Sequence, residues 1–169
     1  MFKRKSISID SFARKMAIES FAQWKEEGAS LLVFKKEFTN IDTFKIWFVY
    51  HSTSWIIASQ RISPNVLEDL MLFNQKFQEE LASIYIEEFG DLEFGDFKAL
   101  TSTILSAVNK FNEPRAEVSS MADDLKIGRI ISSSVGIDYD PFLATALTVA
   151  NTKTVIANMK LLEAFVSTL

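Results

Sequence analysis

The stretch from Ile41 to Ile62 constrains the fold of this chain more than any other. It contains two of the three tryptophans and the only histidine, and no residue from Ile46 to Gln60 carries a formal charge when His51 is counted as neutral. Such a segment needs cover, because removing apolar surface from water is the main favourable term in folding. We therefore expect the rest of the chain to pack around it.

The apolar pattern of this stretch favours a helix. A strand is the competing interpretation, because aromatic and β-branched residues suit a pleated surface and residues 51–54 could form a turn. That turn lacks the Gly, Asn or Asp that short hairpins prefer, and the run from Ile46 to Val49 does not alternate. Spacings of three and four instead place one set of residues on a single helical face: Phe44, Trp47, Phe48, His51, Trp55, Ala58 and Ile62.

Local signals mark both ends of this helix. Asn40 or Asp42 can cap its first turn, and Ser63-Pro64 ends it, because the residue before a proline avoids the helical region. The fifteen uncharged residues are fewer than the roughly 20 that a bilayer crossing needs. We therefore predict a helix buried in a protein core and no membrane span.

Helical spacing also dominates the remaining segments. It predicts a first helix from near Ser8 or Asp10 to Gly28, a helix from Ser63 to about Phe89, two helices over 97–112 and 113–135, and a last helix from Asp140 onward. Asn74 interrupts the apolar stripe of the helix that starts at Ser63; it could fix the register between two helices, although an exposed edge is the commoner explanation. The polar residues 151–154 could bend or break the last helix. Residues 29–39 suit a short helix or a strand.

These segments together predict an all-α fold. We expect a single compact bundle of about six helices around a central apolar helix, with residues 1–169 forming one domain, as the length suggests. The alternative is an α+β fold with a small antiparallel sheet within residues 29–62. The scarcity of turn residues, five glycines and three prolines, favours the helical fold.

Composition excludes several classes of function. Without cysteine the chain has no disulfide, zinc–thiolate site, iron–sulfur cluster or cysteine nucleophile. The net charge of -4 disfavours nucleic-acid binding, which needs a concentrated positive surface. No apolar run follows the basic start, so a secretory signal is not expected and a cytoplasmic location is favoured.

The sequence lacks the residue combinations that most catalytic sites need. A single histidine cannot supply a di-iron bundle or a zinc-protease helix, and neither a Gly-x-Ser-x-Gly elbow nor a phosphate-binding loop is present. Five of the ten residues from Glu87 to Asp96 are acidic, but their spacing does not match a calcium loop. We expect no metal and no cofactor, and the balance favours a protein that is not an enzyme.

Two hypotheses about function remain. The first is a non-enzymatic interaction or regulatory helical domain that binds itself, as a homo-oligomer, or a protein partner, because the 15 phenylalanines exceed what one core needs to bury. The second is a sensor or carrier of a small apolar ligand in an aromatic pocket near the central helix. Such a pocket holds mostly apolar groups and a few polar ones, and its candidate residues are Trp47, Tyr50, His51 and Trp55.

Overall fold

The computed structural model describes residues 8–27, 39–62, 64–90 and 141–168, together with Ser102 and Gly128. The helices are α1 (Ile9–Glu27), α2 (Asn40–Gln60), a 3₁₀ turn (Pro64–Val66), α3 (Leu67–Phe89) and α4 (Pro141–Val166). Within these ranges all regular structure is helical, as the all-α prediction requires, and Asn40–Gln60 is helix where the alternative allowed strands. The elements predicted within 29–38 and 91–140, and with them the count of about six helices, lie outside the described residues.

Helix α1 has the amphipathic pattern that its sequence predicts. Ser8 lies just before it, where its hydroxyl oxygen accepts a hydrogen bond from the Ser11 amide at 3.2 Å and satisfies a free donor of the first turn. The predicted apolar stripe is buried, apart from the partly buried Ile9 at its start. Its buried members are Phe12, Ala13, Met16, Ala17, Phe21 and Trp24.

Helix α2 begins with a capping box formed by Thr39 and Asp42. Thr39 is the N-cap residue: the Asp42 amide donates to Thr39 Oγ1 at 3.3 Å, and the Thr39 amide donates to Asp42 Oδ2 at 2.8 Å. Asp42 thus caps a free amide as predicted, whereas the N-cap residue precedes Asn40 by one position. Each partner satisfies a donor that the first turn leaves free. Loss of such a cap costs about 1 kcal/mol.

Helix α3 ends where its sequence predicts, but one of its polar residues is placed differently. Gly90 adopts a φ of 77° at the end of the helix, and its amide donates to the Ile86 carbonyl at 2.9 Å. Asn74 is buried, so it is not at an exposed edge, and it contacts a second helix as the other interpretation allowed. Its Nδ2 donates to Ser59 Oγ of α2 and to the Leu70 carbonyl, both at 2.9 Å. These two hydrogen bonds offset the cost of burying the amide NH₂ group.

Aromatic rings join α1, α2 and α3 into one layer. Phe12, at the start of α1, lies 5.2 Å from Phe73 of α3, and Trp24, near its end, lies 5.8 Å from Tyr85. Helices α1 and α3 therefore run in the same direction. Helix α2 runs opposite to α3, because Phe44 stacks on Tyr85 at 4.0 Å and Trp55 meets Phe73 at 5.0 Å.

Helix α4 covers a different side of α2. It continues without interruption through residues 151–154, where the sequence allowed a bend or a break. Its last turn reaches α1, where Phe165 stacks on Phe12 at 4.3 Å. Of the helices described, none combines the length and the apolar character needed to cross a membrane.

Candidate functional site

The middle of α2 is buried on every side. All residues from Phe48 to Ser59 are buried, and the five consecutive residues His51, Ser52, Thr53, Ser54 and Trp55 all carry polar atoms. Four consecutive residues of a helix point in four directions around its axis. The polar atoms of α2 therefore face several neighbours, and each direction needs its own partners.

Three of the four predicted site residues lie together. The Trp47 and His51 rings are 4.8 Å apart, the Tyr50 and His51 rings 5.0 Å, and the Trp47 and Tyr50 rings 5.7 Å. Trp47 is the half-buried member, and its Nε1 donates to the Ser20 carbonyl of α1 at 2.9 Å. This cluster of Trp47, Tyr50 and His51 is called the ring cluster below.

The fourth predicted residue, Trp55, lies apart from the ring cluster. Its ring packs among those of α1 and α3, at 6.4 Å from Phe12, 5.0 Å from Phe73 and 5.9 Å from Phe77. On α2 it follows His51 by one turn, and residues four apart are neighbours on a helix surface. Trp55 therefore borders the ring cluster on its α1 side without belonging to it.

His51 is an uncharged group in this setting. Burial lowers the pKa of its imidazole from 6.5 to about 3, because the charged form would lose its hydration. Among the described residues its Nε2 has no hydrogen-bond partner. At neutral pH the ring therefore presents one unpaired polar atom in an apolar environment.

Hydroxyl and amide groups connect α2 to α4. Asn151 Nδ2 donates to Ser54 Oγ at 2.6 Å, and the Tyr50 hydroxyl lies 2.5 Å from Thr154 Oγ1. Ser54 Oγ in turn donates to the Tyr50 carbonyl at 2.8 Å. Burial raises the pKa of Tyr50, and its hydrogen bond to Thr154 opposes that effect only in part. These neutral groups set the register of the two helices.

Sequence reasoning missed this connection. It treated residues 151–154 as a polar interruption of α4, whereas Asn151 is fully buried against α2. One signal was available: Asn151 shares helical spacing with apolar residues on both sides of it. The residues that form this buried face are Leu143, Leu147, Asn151, Val155, Asn158 and Leu162.

Several buried polar atoms in and around α2 lack a partner. Across the described ranges, seven buried side-chain atoms make no hydrogen bond: His51 Nε2, Ser52 Oγ, Thr53 Oγ1, Trp55 Nε1, Asn74 Oδ1, Asn151 Oδ1 and Asn158 Nδ2. An unpaired buried group costs about 1–3 kcal/mol, against a typical total stability of about 5–15 kcal/mol. Unpaired buried groups are few in most proteins, so this set is the most unusual polar feature of the described residues.

The N-terminal half of α4 also makes a very close backbone contact. Thr148 Oγ1 donates to the Ala144 carbonyl at 2.8 Å and accepts from the Gly128 amide at 3.1 Å. A Cβ atom at Gly128 would overlap the Ala144 carbonyl. Only glycine leaves room for this approach, and any side chain at that position must displace the backbone of α4.

The opposite face of α4 exposes apolar side chains, with Lys153 between the last two of them. Phe142 is 79% exposed, Val149 54% and Ile156 51%, and the three are spaced seven residues apart. With the exposed Ala146 they form what we call the α4 face. Pro141–Thr152 contains no charged residue, although exposed helix surfaces usually carry charged side chains.

Neither the ring cluster nor the α4 face supplies an acid–base pair. In the described ranges no three His, Asp or Glu residues are placed so that they could hold a metal ion. The polar groups of the ring cluster and of its contact with α4 are ring nitrogens, hydroxyls and amides. Comparisons of the chain with protein-family models, with curated proteins and with solved structures gave no match.

Proposed function

We propose that the protein is a non-enzymatic interaction domain that pairs with a second copy of itself through the α4 face. One observation carries the proposal: three apolar side chains spaced seven residues apart are exposed on one side of α4, and Pro141–Thr152 carries no charge. Contiguous apolar surface of this kind marks protein interaction sites more often than ordinary surface. The absence of cysteine is compatible with the cytoplasm, where we expect this pairing to operate.

The spacing of the α4 face supports a second copy as the partner. Residues seven apart drift by only about 20° around a helix, so Phe142, Val149 and Ile156 form one straight stripe. In an antiparallel pair centred on Val149, Phe142 of each copy lies opposite Ile156 of the other. The face is thus complementary to itself, as a two-fold interface requires.

Charge supports the antiparallel arrangement over the parallel one. In a parallel pair Lys153 would face Lys153 and Lys160 would face Lys160, which places like charges together. In the antiparallel pair Lys153 lies opposite Thr145, a neutral residue. Two copies can then approach without repulsion at the centre of the contact.

Sedimentation velocity over a concentration series tests the proposal. We expect reversible dimerisation of the unaltered chain and at least tenfold weaker dimerisation of Val149→Glu, because two carboxylates would meet on the two-fold axis and lose hydration. Val149→Lys should weaken dimerisation for the same reason. An equimolar mixture of the two variants should associate again, because opposite charges then face each other.

The control is Ile18→Glu, which introduces the same charge at a half-exposed position of α1 outside the α4 face. It should dimerise like the unaltered chain, and thermal unfolding should show that all variants are folded. A chain that stays monomeric at every concentration contradicts the proposal. Dimerisation that survives Val149→Glu excludes the α4 face, and a mixture that does not reassociate excludes the antiparallel pair.

A further inference from the structure

We infer that Phe142 determines the specificity of the pairing, because in the antiparallel pair its ring lies between the side chains of Lys153 and Lys160 of the second copy. This contact is part of the pairing through the α4 face and therefore rests on the proposed function. Two features of α4 lead to it. One is a very exposed ring, and the other is a pair of exposed lysines on the same side of the helix.

The exposed ring belongs to the first turn of α4. Phe142 follows Pro141, the first residue of the helix. It is the most exposed of the large apolar residues in the described ranges, at 79%. Aromatic side chains carry much of the binding free energy of interfaces when the partner surrounds them. The position of Phe142 on a regular helix therefore suits an anchor that fills a depression on a second surface.

Two lysines lie on the same side of α4. Lys153 and Lys160 are seven residues apart, and both are exposed. Neither has an ion-pair partner within the described ranges, and Glu163 is the single acidic residue of α4. Long lysine side chains combine an apolar stem with a charged end. Both parts are thus available to a partner.

The antiparallel pair brings the ring and the lysines to the same level. A helix rises about 1.5 Å per residue, so Phe142 lies about 10.5 Å before Val149. Lys153 lies about 6 Å after Val149, and Lys160 about 16.5 Å after it. A two-fold axis at Val149 reverses these positions in the second copy. Each Phe142 then falls between the levels of the two lysines of the other copy.

The positions around the helix agree with this arrangement. At about 100° per residue, Phe142, Lys153 and Lys160 all lie within about 40° of the centre of the stripe and on one side of it. The two-fold axis keeps that side the same in both copies. Four residues spaced by three, four and seven form the hole that receives a side chain in helix packing. The hole for Phe142 consists of Lys153, Ile156, Ala157 and Lys160.

The chemistry of the contact is the attraction between an ammonium group and the negative face of an aromatic ring. The chain contains a contact of this kind within α1, where Lys25 Nζ lies 5.8 Å from the centroid of the Phe21 ring. An aliphatic residue in place of Phe142 would bury apolar area without this attraction. The lysines therefore favour an aromatic residue opposite them, and a second copy of this chain supplies one.

Fluorination of Phe142 tests the contact. Fluorine withdraws charge from the face of the ring with little change of shape, so the attraction falls from phenylalanine to its mono-, di- and trifluorinated forms. We expect the dissociation constant of the pair, measured by sedimentation velocity, to rise at each step. The total rise should be about fivefold to thirtyfold, because the pair contains two such contacts. The same series at Phe89, a half-exposed ring of α3, should leave the constant unchanged.

Removal of the two cations is the complementary test. Lys153→Gln combined with Lys160→Gln should weaken pairing by about fivefold to thirtyfold, and fluorination of Phe142 should then have no further effect. The corresponding double replacement by arginine keeps the charges and should pair like the unaltered chain. The control is Lys15→Gln with Lys76→Gln, which changes the net charge equally on α1 and α3 and should not affect pairing.

A mixture of two variants tests whether the contact joins different copies. Phe142→Leu keeps the lysines, and the glutamine double variant keeps the ring, so neither variant forms the contact with itself. In a mixed pair one of the two contacts is restored. The mixture should therefore associate about twofold to fivefold more tightly than either variant alone.

The outcomes separate this contact from the pairing itself. If Val149→Glu abolishes pairing but fluorination of Phe142 has no effect, the pairing stands and the contact is excluded. The contact is also excluded if fluorination acts equally without the two lysines, or if the mixture associates no better than its components. A chain that is monomeric at every concentration excludes both. Thermal unfolding should show that the variants are folded, since the altered side chains are exposed.

Discussion

Helix α2 has two unlike sides. Toward α1 and α3 its contacts are between aromatic rings, such as Trp55 with Phe73 and Phe44 with Tyr85. Toward α4 they are between hydroxyls and amides, such as Ser54 with Asn151 and Tyr50 with Thr154. Ring packing depends mainly on buried area, whereas hydrogen bonds depend on direction and distance. The first side contributes mainly buried apolar area, and the second contributes directional contacts between the two helices.

Both sides leave some buried polar atoms unpaired. On the side of α1 and α3, Trp24 Nε1 and Trp47 Nε1 each donate a hydrogen bond, but Trp55 Nε1 and Asn74 Oδ1 have no partner within the described ranges. On α4 the same holds for Asn151 Oδ1 and Asn158 Nδ2. The contrast between the two sides therefore lies in the kind of contact and not in how completely polar groups are paired.

The largest loss of stability should follow truncation of a ring on the aromatic side of α2. Trp55→Ala should lower the free energy of unfolding by about 3–5 kcal/mol, because a fully buried aromatic side chain leaves a cavity among three other rings. Urea unfolding followed by circular dichroism measures this loss. Trp47→Ala is the matched comparison and should cost less, since Trp47 is only half-buried. Equal losses would contradict the distinction between the two tryptophans.

An intermediate loss of stability should follow when the pH is lowered, because His51 is buried in its neutral form. The His51 pKa is about 3 in the folded chain and about 6.5 unfolded, so between these values the unfolded state binds more protons and stability falls as the pH falls. From pH 7 to pH 5 this contribution amounts to about 2 kcal/mol. It should disappear in His51→Gln, which isolates it from the titration of carboxylates. Parallel pH profiles of the two proteins would show that His51 is not buried in its neutral form.

The smallest effect should come from a single hydrogen bond between α2 and α4. A double-mutant cycle of Tyr50→Phe and Thr154→Val should give a coupling of about 0.5–1.5 kcal/mol, the range for one neutral hydrogen bond. The control cycle replaces Thr154→Val by Thr152→Val, which changes an exposed threonine of the same helix, and should give no coupling. Similar values in both cycles would mean that the contact does not hold the register.

Local signals predicted the helices because helix formation is itself local. The period of apolar residues predicted α1 and the extent of α3 to about Phe89, and α3 ends there because Gly90 adopts a positive φ that only a glycine tolerates without strain. The residues of the ring cluster came from the same kind of reasoning, because positions three and four apart meet on one helix. Trp55 also follows that spacing, yet its ring packs with α1 and α3 rather than with the cluster.

The sequence by itself determined that the described segments are helices and approximately where they begin and end, because backbone hydrogen bonds and caps join residues a few positions apart. Only the tertiary structure decided that Asn74 and Asn151 are buried and that Phe142 is exposed. Asn151 meets Ser54 across 97 positions of sequence. Whether a side chain is covered depends on distant helices, and hydrogen bonds across such a separation form only when packing brings the two helices together.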